Sequence, residues 1–168
     1  MLKIPFRPEV SGRKGIFSFL AIMNNETYFI STEKSKLNIG MIHSFLSGES
    51  YWAKGIPEET VRRSIENSIC FGVYYGTQQV GFARVSSDCA TFAYLADVFI
   101  LPAHRGHGLS KMLMETIFAH EDLQGLRRWL LGTADAHGLY SKYGFTPLAK
   151  PARMMEKHNA NVYGSRIS

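Results

Sequence analysis

His104-Arg105-Gly106-His107-Gly108-Leu109-Ser110 follows the apolar run Val98-Phe99-Ile100-Leu101-Pro102. It precedes a pattern in which Leu109, Met112, Leu113, Thr116 and Ile117 share one helical face. The reading is a buried strand that feeds a glycine-rich loop, which opens a helix. The first N–H groups of a helix have no internal partner and form an anion site. The charges sharpen this. A first turn normally favours Asp or Glu, because the helix dipole is positive there. This chain has Arg105, His107 and Lys111 instead. Cations against the dipole make sense where a bound phosphate or pyrophosphate answers both. The plainer alternative is a tight turn that uses glycine for positive φ. The dinucleotide pattern G-x-G-x-x-G fails at Lys111, and no P-loop is present.

The chain has 168 residues, enough for one domain with a full core. Hydrophobic residues make up 45% and charged residues 20%, as in ordinary globular proteins. The net charge is +5, but the cations are scattered rather than striped. An acidic small molecule such as a polyphosphate fits the charge as well as nucleic acid does, and nucleic-acid binding would be salt-sensitive. Cys70 and Cys89 lie in strand-like text and read as buried thiols. A reducing cytoplasm is their simplest setting. No apolar run is long enough to span a membrane.

Residues 1–23 read as a leader, either poorly ordered or upstream of a true start at Met23. Arg13-Lys14 and the apolar stretch 16–23 faintly resemble a signal peptide, but the small-residue cleavage pattern is missing. Residues 24–168 read as a single domain. Tyr28-Phe29-Ile30 is a short strand, and Asn38 to Leu46 has helical spacing. Pro57 opens a second helix, with Val61, Ile65 and Ile69 on its apolar face. Cys70–Tyr75, Gln79–Val85 and Thr91–Leu101 form an antiparallel meander. A helix from Gly108 to His120 leads to the strand Trp129-Leu130-Leu131, which implies a parallel crossover. Asp135 is positioned to cap a helix over 136–143, stopped by Gly144. Phe145-Thr146-Pro147 and Met154-Met155-Glu156 read as edge strands. The fold class is α/β (α+β): a mixed, mostly antiparallel sheet with helices on both faces.

This order, with two motifs, resembles the GNAT superfamily of acyl-CoA-dependent N-acyltransferases. The first motif is Arg105-Gly106-His107-Gly108-Leu109-Ser110, against a family pattern of Arg or Gln, two residues, Gly, one residue, then Gly or Ala. The second is Ala136 to Phe145, which matches A-x-x-x-Y-x-x-x-G-F. Ser110 replaces the usual Gly or Ala, and Thr133 stands where many members have a cofactor-contacting Asn.

The resemblance implies an N-acetyltransferase that uses acetyl-CoA and a small amine or protein amine as acceptor. A non-catalytic acyl-CoA-binding module is the alternative. Arg105, Gly106, His107, Gly108, Leu109 and Ser110 would hold the pyrophosphate. The backbone of Val98, Phe99 and Ile100 would pair with the pantetheine arm, and Thr133 would lie beside the cofactor. Tyr140 falls on the family's usual general acid, with Tyr143 the weaker choice. Asp97 would serve as base, or bind the substrate's positive charge. Tyr51 and Trp52 either wall a substrate slot or pack under their loop. His104 and His107 lack further ligands at metal-binding spacing, so no metal is assigned. Sheet-edge pairing leaves a homodimer open.

Overall fold

The structure is a computed structural model and describes residues 21–23, 26–159 and 161–163. Six strands form one sheet in sequential order. They are β1 (Ala21–Met23), β2 (Glu26–Ser31), β3 (Ile69–Tyr75), β4 (Gln78–Ser87), β5 (Phe92–Ile100) and β6 (Arg128–Leu130). Neighbours from β1 to β5 are antiparallel, and β5 pairs with β6 in parallel. Of the expected leader, residues 1–20 lie outside the described residues, and Ala21–Met23 form β1.

Helices α1 (Ile39–Ser44) and α2 (Glu58–Glu66) join β2 to β3. Asn38 starts α1 by accepting the Met41 N–H at 3.0 Å. Pro57 stands just ahead of α2, and Glu58 and Glu59 face the positive end of its dipole. Ile69, expected on that helix, belongs to β3. Helix α3 (Leu109–Ala119) carries the chain from β5 to β6. A parallel pair needs such a crossover, because a hairpin cannot reverse direction twice.

The sheet separates two cores. Phe71, Val73, Val80 and Leu95 pack with Leu109, Leu113 and Ile117 of α3. On the other face Cys70, Phe82 and Phe99 meet Ile42, Leu46, Val61 and Ile65 of α1 and α2. With both faces covered, β3 is buried continuously from Cys70 to Tyr74 rather than at alternate residues. Cys89, expected to be buried, is exposed in the β4–β5 turn, where Asp88 organises the backbone. No helix among the described residues is long and apolar enough to cross a membrane.

The last helix is shorter than its spacing suggested. Helix α4 covers His137–Tyr140 and tightens into a 3₁₀ turn over Ser141–Tyr143, ending at Gly144 with φ 85°. Asp135 does not cap it. The Ala136 N–H donates instead to Thr133 Oγ1 at 3.0 Å. Phe145–Pro147 and Met154–Glu156 form no strands, and among the described residues β6 has β5 as its only ladder partner.

One close approach sets the register that positions the site. Gly81 faces Ile100 across β4 and β5. A Cβ there would lie 2.9 Å from the Phe99 carbonyl oxygen and 2.6 Å from Ile100 Cδ1. The carbonyl is backbone and cannot move aside cheaply. Gly81→Ala is expected to destabilise the fold by about 1–3 kcal/mol. A lowered urea midpoint with an unchanged m-value would show it.

Candidate active site

The glycine loop takes the shape its residues predict. A 3₁₀ turn at Pro102–His104 leads to Arg105, and Gly106 and Gly108 follow with φ of 82° and 74°. A Cβ on either glycine would meet nothing within 4 Å, so the requirement is conformational and the space before the loop is open. Helix α3 starts at Leu109 with no side-chain cap, and its first internal bond runs from Met112 N–H to Gly108 O at 3.1 Å. The amides of Leu109, Ser110 and Lys111 therefore precede the helical ladder.

Two side chains of this region are already engaged. Arg105 Nε donates to the Ile100 carbonyl at 3.0 Å, tying the loop to the end of β5. His104 is half-buried, with Nδ1 3.1 Å from the Tyr28 hydroxyl and its ring against Tyr75. His107 remains exposed and donates from Nδ1 to the His104 carbonyl at 3.3 Å.

The strand before the loop is bent. Phe82 pairs with Phe99 and Arg84 with Ala96, so Ala83 alone faces both Asp97 and Val98. This β-bulge places Asp97 at φ 54°, a left-handed conformation that Asp tolerates better than most residues. Pairing with β6 stops at Tyr94–Leu130, and β5 continues alone to Ile100. Leu101 N–H donates to Val80 O, which makes Gly81 and Ile100 a non-hydrogen-bonded pair. The polar groups of Ile100 therefore point to the free edge. Of the expected trio, Val98 is half-buried, whereas Phe99 is buried and stacks on Phe45 at 3.9 Å between ring centroids.

Beside this edge lies a cavity of about 290 Å³ that brings together Tyr51, Trp52, Tyr94, Asp97, Val98, Thr133 and Tyr140. The Tyr140 side chain is buried, and its hydroxyl is pushed up to about 12, first by burial, then by Tyr51 and Asp135. Tyr143 is placed elsewhere: its hydroxyl donates to Lys111 O at 3.3 Å, pinning α4 to α3. Tyr51 and Trp52 strap the cavity. Trp52 Nε1 donates to Asp97 Oδ1 at 3.0 Å, and Ala134 N–H donates to the Tyr51 hydroxyl at 2.8 Å.

Asp97 Oδ2 accepts from Arg84 Nε at 2.5 Å, so both carboxylate oxygens are occupied. Arg84 and Asp135 were not singled out as site residues, yet both line this cavity. Arg84 reads as an ordinary strand cation, and only the bulge brings it to Asp97. A larger groove of about 1010 Å³ follows β6 and the segment after α4; neither cavity includes the 105–110 loop. Among the described residues no group of three or more His, Cys, Asp or Glu is placed to hold a metal ion.

Comparison with known proteins agrees with this architecture. The family model described as an acetyltransferase (GNAT) domain matches residues 66–147. A candidate acetyltransferase of Gibberella zeae is 34% identical over 137 residues, spanning 68% of this chain and 76% of its own. The chain belongs to the GNAT acetyltransferase family. A GNAT protein of Xanthomonas campestris pv. campestris, known from its crystal structure, is 54% identical. It superposes with a TM-score of 0.80, over 82% of this chain and 97% of its own. A more distant GNAT-fold structure from Clostridium acetobutylicum, solved with acetyl-CoA, is 13% identical with a TM-score of 0.57. It covers 79% of this chain and 96% of its own, and shares the fold.

The Arg84–Asp97 pair is largely shielded, with side chains 22% and 8% exposed. Asp97→Asn removes the counter-charge and is expected to cost about 1–3 kcal/mol. Adding Arg84→Met should recover part of that loss, because no unpaired guanidinium then remains. Urea unfolding of both single variants and the double variant measures the coupling.

Proposed function

We propose that this GNAT protein is an N-acetyltransferase that moves an acetyl group from acetyl-CoA to a primary amine within a ternary complex. One observation carries the reading. The splay of β5 from β6 opens beside a buried, protonated Tyr140 hydroxyl, and the same strand runs into an uncapped helix start. The residues present fit the donor. The amides of Leu109, Ser110 and Lys111, with the open glycine loop, suit a pyrophosphate, and the Ser110 hydroxyl can add a donor. The free edge of β5 at Val98 and Ile100 suits the amides of pantetheine, as an added strand would. Arg105 holds the loop against β5 and adds positive charge there. Thr133 serves this site by shaping the turn into α4.

Acetyl-CoA supplies the activated thioester. The acceptor must lose its ammonium proton to water before its nitrogen attacks the carbonyl carbon. As the C–N bond forms, the nitrogen gives up a second proton to water and the C–S bond breaks. The electron pair leaves on sulfur, which takes the Tyr140 proton. Solvent then reprotonates Tyr140. Asp97, with both oxygens engaged, is better suited to fixing the bulge, Arg84 and Trp52 than to accepting a proton.

Tyr140→Phe is expected to lower kcat by about 10²–10⁴-fold, with acetyl-CoA affinity nearly unchanged. With the phenol at about 12, its acid form persists through neutral and moderately alkaline pH. The kcat profile should therefore show no alkaline fall from Tyr140 up to roughly pH 10.

Ser110→Glu tests the anion site. A carboxylate in the first turn of α3 suits the dipole and should preserve or slightly raise stability. It should also repel the pyrophosphate and weaken acetyl-CoA binding by about tenfold or more. Calorimetric titration of both proteins, with an amine screen by thiol release, decides the matter. No binding to the wild type would refute the reading. Binding without turnover on any amine would favour an acyl-CoA-binding module.

A further inference from the structure

The cavity beside Tyr140 contains two carboxylates in different states. Asp97 is spent on Arg84 and Trp52. Asp135 is exposed, and its carboxylate has no hydrogen bond or ion pair among the described residues. It is still close enough to Tyr140 to raise the phenol's pKa, after burial and Tyr51. Because Thr133 takes over the helix cap, Asp135 has no structural duty there.

The cavity's charges then sum simply. Among the described lining residues, Arg84 and Asp97 cancel, and Asp135 leaves one unanswered negative charge. Among the described residues, the only guanidinium lining the cavity is thus unavailable to a substrate carboxylate or phosphate. The walls are aromatic. Tyr51, Trp52 and Tyr94 are 59%, 42% and 41% exposed, with Tyr51 and Trp52 meeting edge to face at 5.0 Å between centroids. Large rings at the mouth of a cavity gain from an apolar or cationic body that covers them. The volume, about 290 Å³, admits a small molecule rather than a folded chain.

Building on the acetyl-transfer reading, we propose that the acceptor is a small organic monocation. Its ammonium lies on Asp135, its apolar body lies against Tyr51, Trp52 and Tyr94, and the pocket discriminates against acceptors that carry a carboxylate or phosphate.

The test pairs two probes that differ by one group. 2-Phenylethylamine has an ammonium and an aromatic body; phenylalanine adds a carboxylate. Acetylation of each is measured by thiol release. Binding of each to the wild type and to Asp135→Asn is measured by calorimetry, with and without CoA. The expected result is a kcat/KM at least about tenfold higher for 2-phenylethylamine, because the added carboxylate finds no free cation. Asp135→Asn should weaken binding of 2-phenylethylamine by about tenfold. Acetyl-CoA affinity and thermal midpoint should not change. Equal or better use of phenylalanine, or unchanged amine binding in Asp135→Asn, would overturn the proposal. So would absence of amine binding to the CoA-loaded wild type. Loss of acetyl-CoA binding in the wild type would instead refute the transfer reading, and the amine titrations without CoA would still judge the pocket.

Discussion

The bulge at Asp97 is the constraint on which the rest of the site depends. One residue of β4 faces two of β5, so β5 must bend, and Asp97 takes the left-handed conformation that the bend requires. That conformation is costly for a side-chain-bearing residue unless the surroundings hold it. Arg84 and Trp52 hold it, one from the neighbouring strand and one from the loop between α1 and α2. The pairing with β6 has already ended at Tyr94, and the bend carries β5 on past it, leaving the open edge and the cavity. A flat continuation of the parallel pair would have closed both.

The glycine loop uses the same strand differently. The backbone of β5 ends in a free edge at Ile100, and Arg105 folds back to bind the Ile100 carbonyl. The loop's position is therefore coupled to the strand's direction. Its two left-handed glycines turn the first amides of α3 outward, and no side chain caps them. An uncapped helix start with cations around it concentrates positive potential at one point.

Tyr51 and Trp52 divide the labour along their strap. Each has one polar atom tied across the cleft, to Ala134 and to Asp97, while much of each ring stays exposed. The ties fix the rings in place without burying them. Rings so held would lose little further entropy on being covered, since their orientation is already set.

The sequence by itself determined the element order, the meander, the crossover and the glycine loop that opens α3. Each rests on local chemistry: apolar runs broken by turn residues at Gly76 and Asp88, helical spacing from Leu109 to Ile117, glycines at positive φ. Tyr140 was legible too, through its fixed distance from Gly144 within one local motif. The strands expected at Phe145–Pro147 and Met154–Glu156 failed, because a short β-prone stretch forms a strand only where a partner edge meets it. Asp135 resembled a helix cap, but Thr133 reached the amide first. Tertiary structure alone decided the Arg84–Asp97–Trp52 network, and with it which carboxylate stays free. Those residues lie on β4, β5 and a distant loop, and no sequence spacing records a contact made by strand pairing and a bulge.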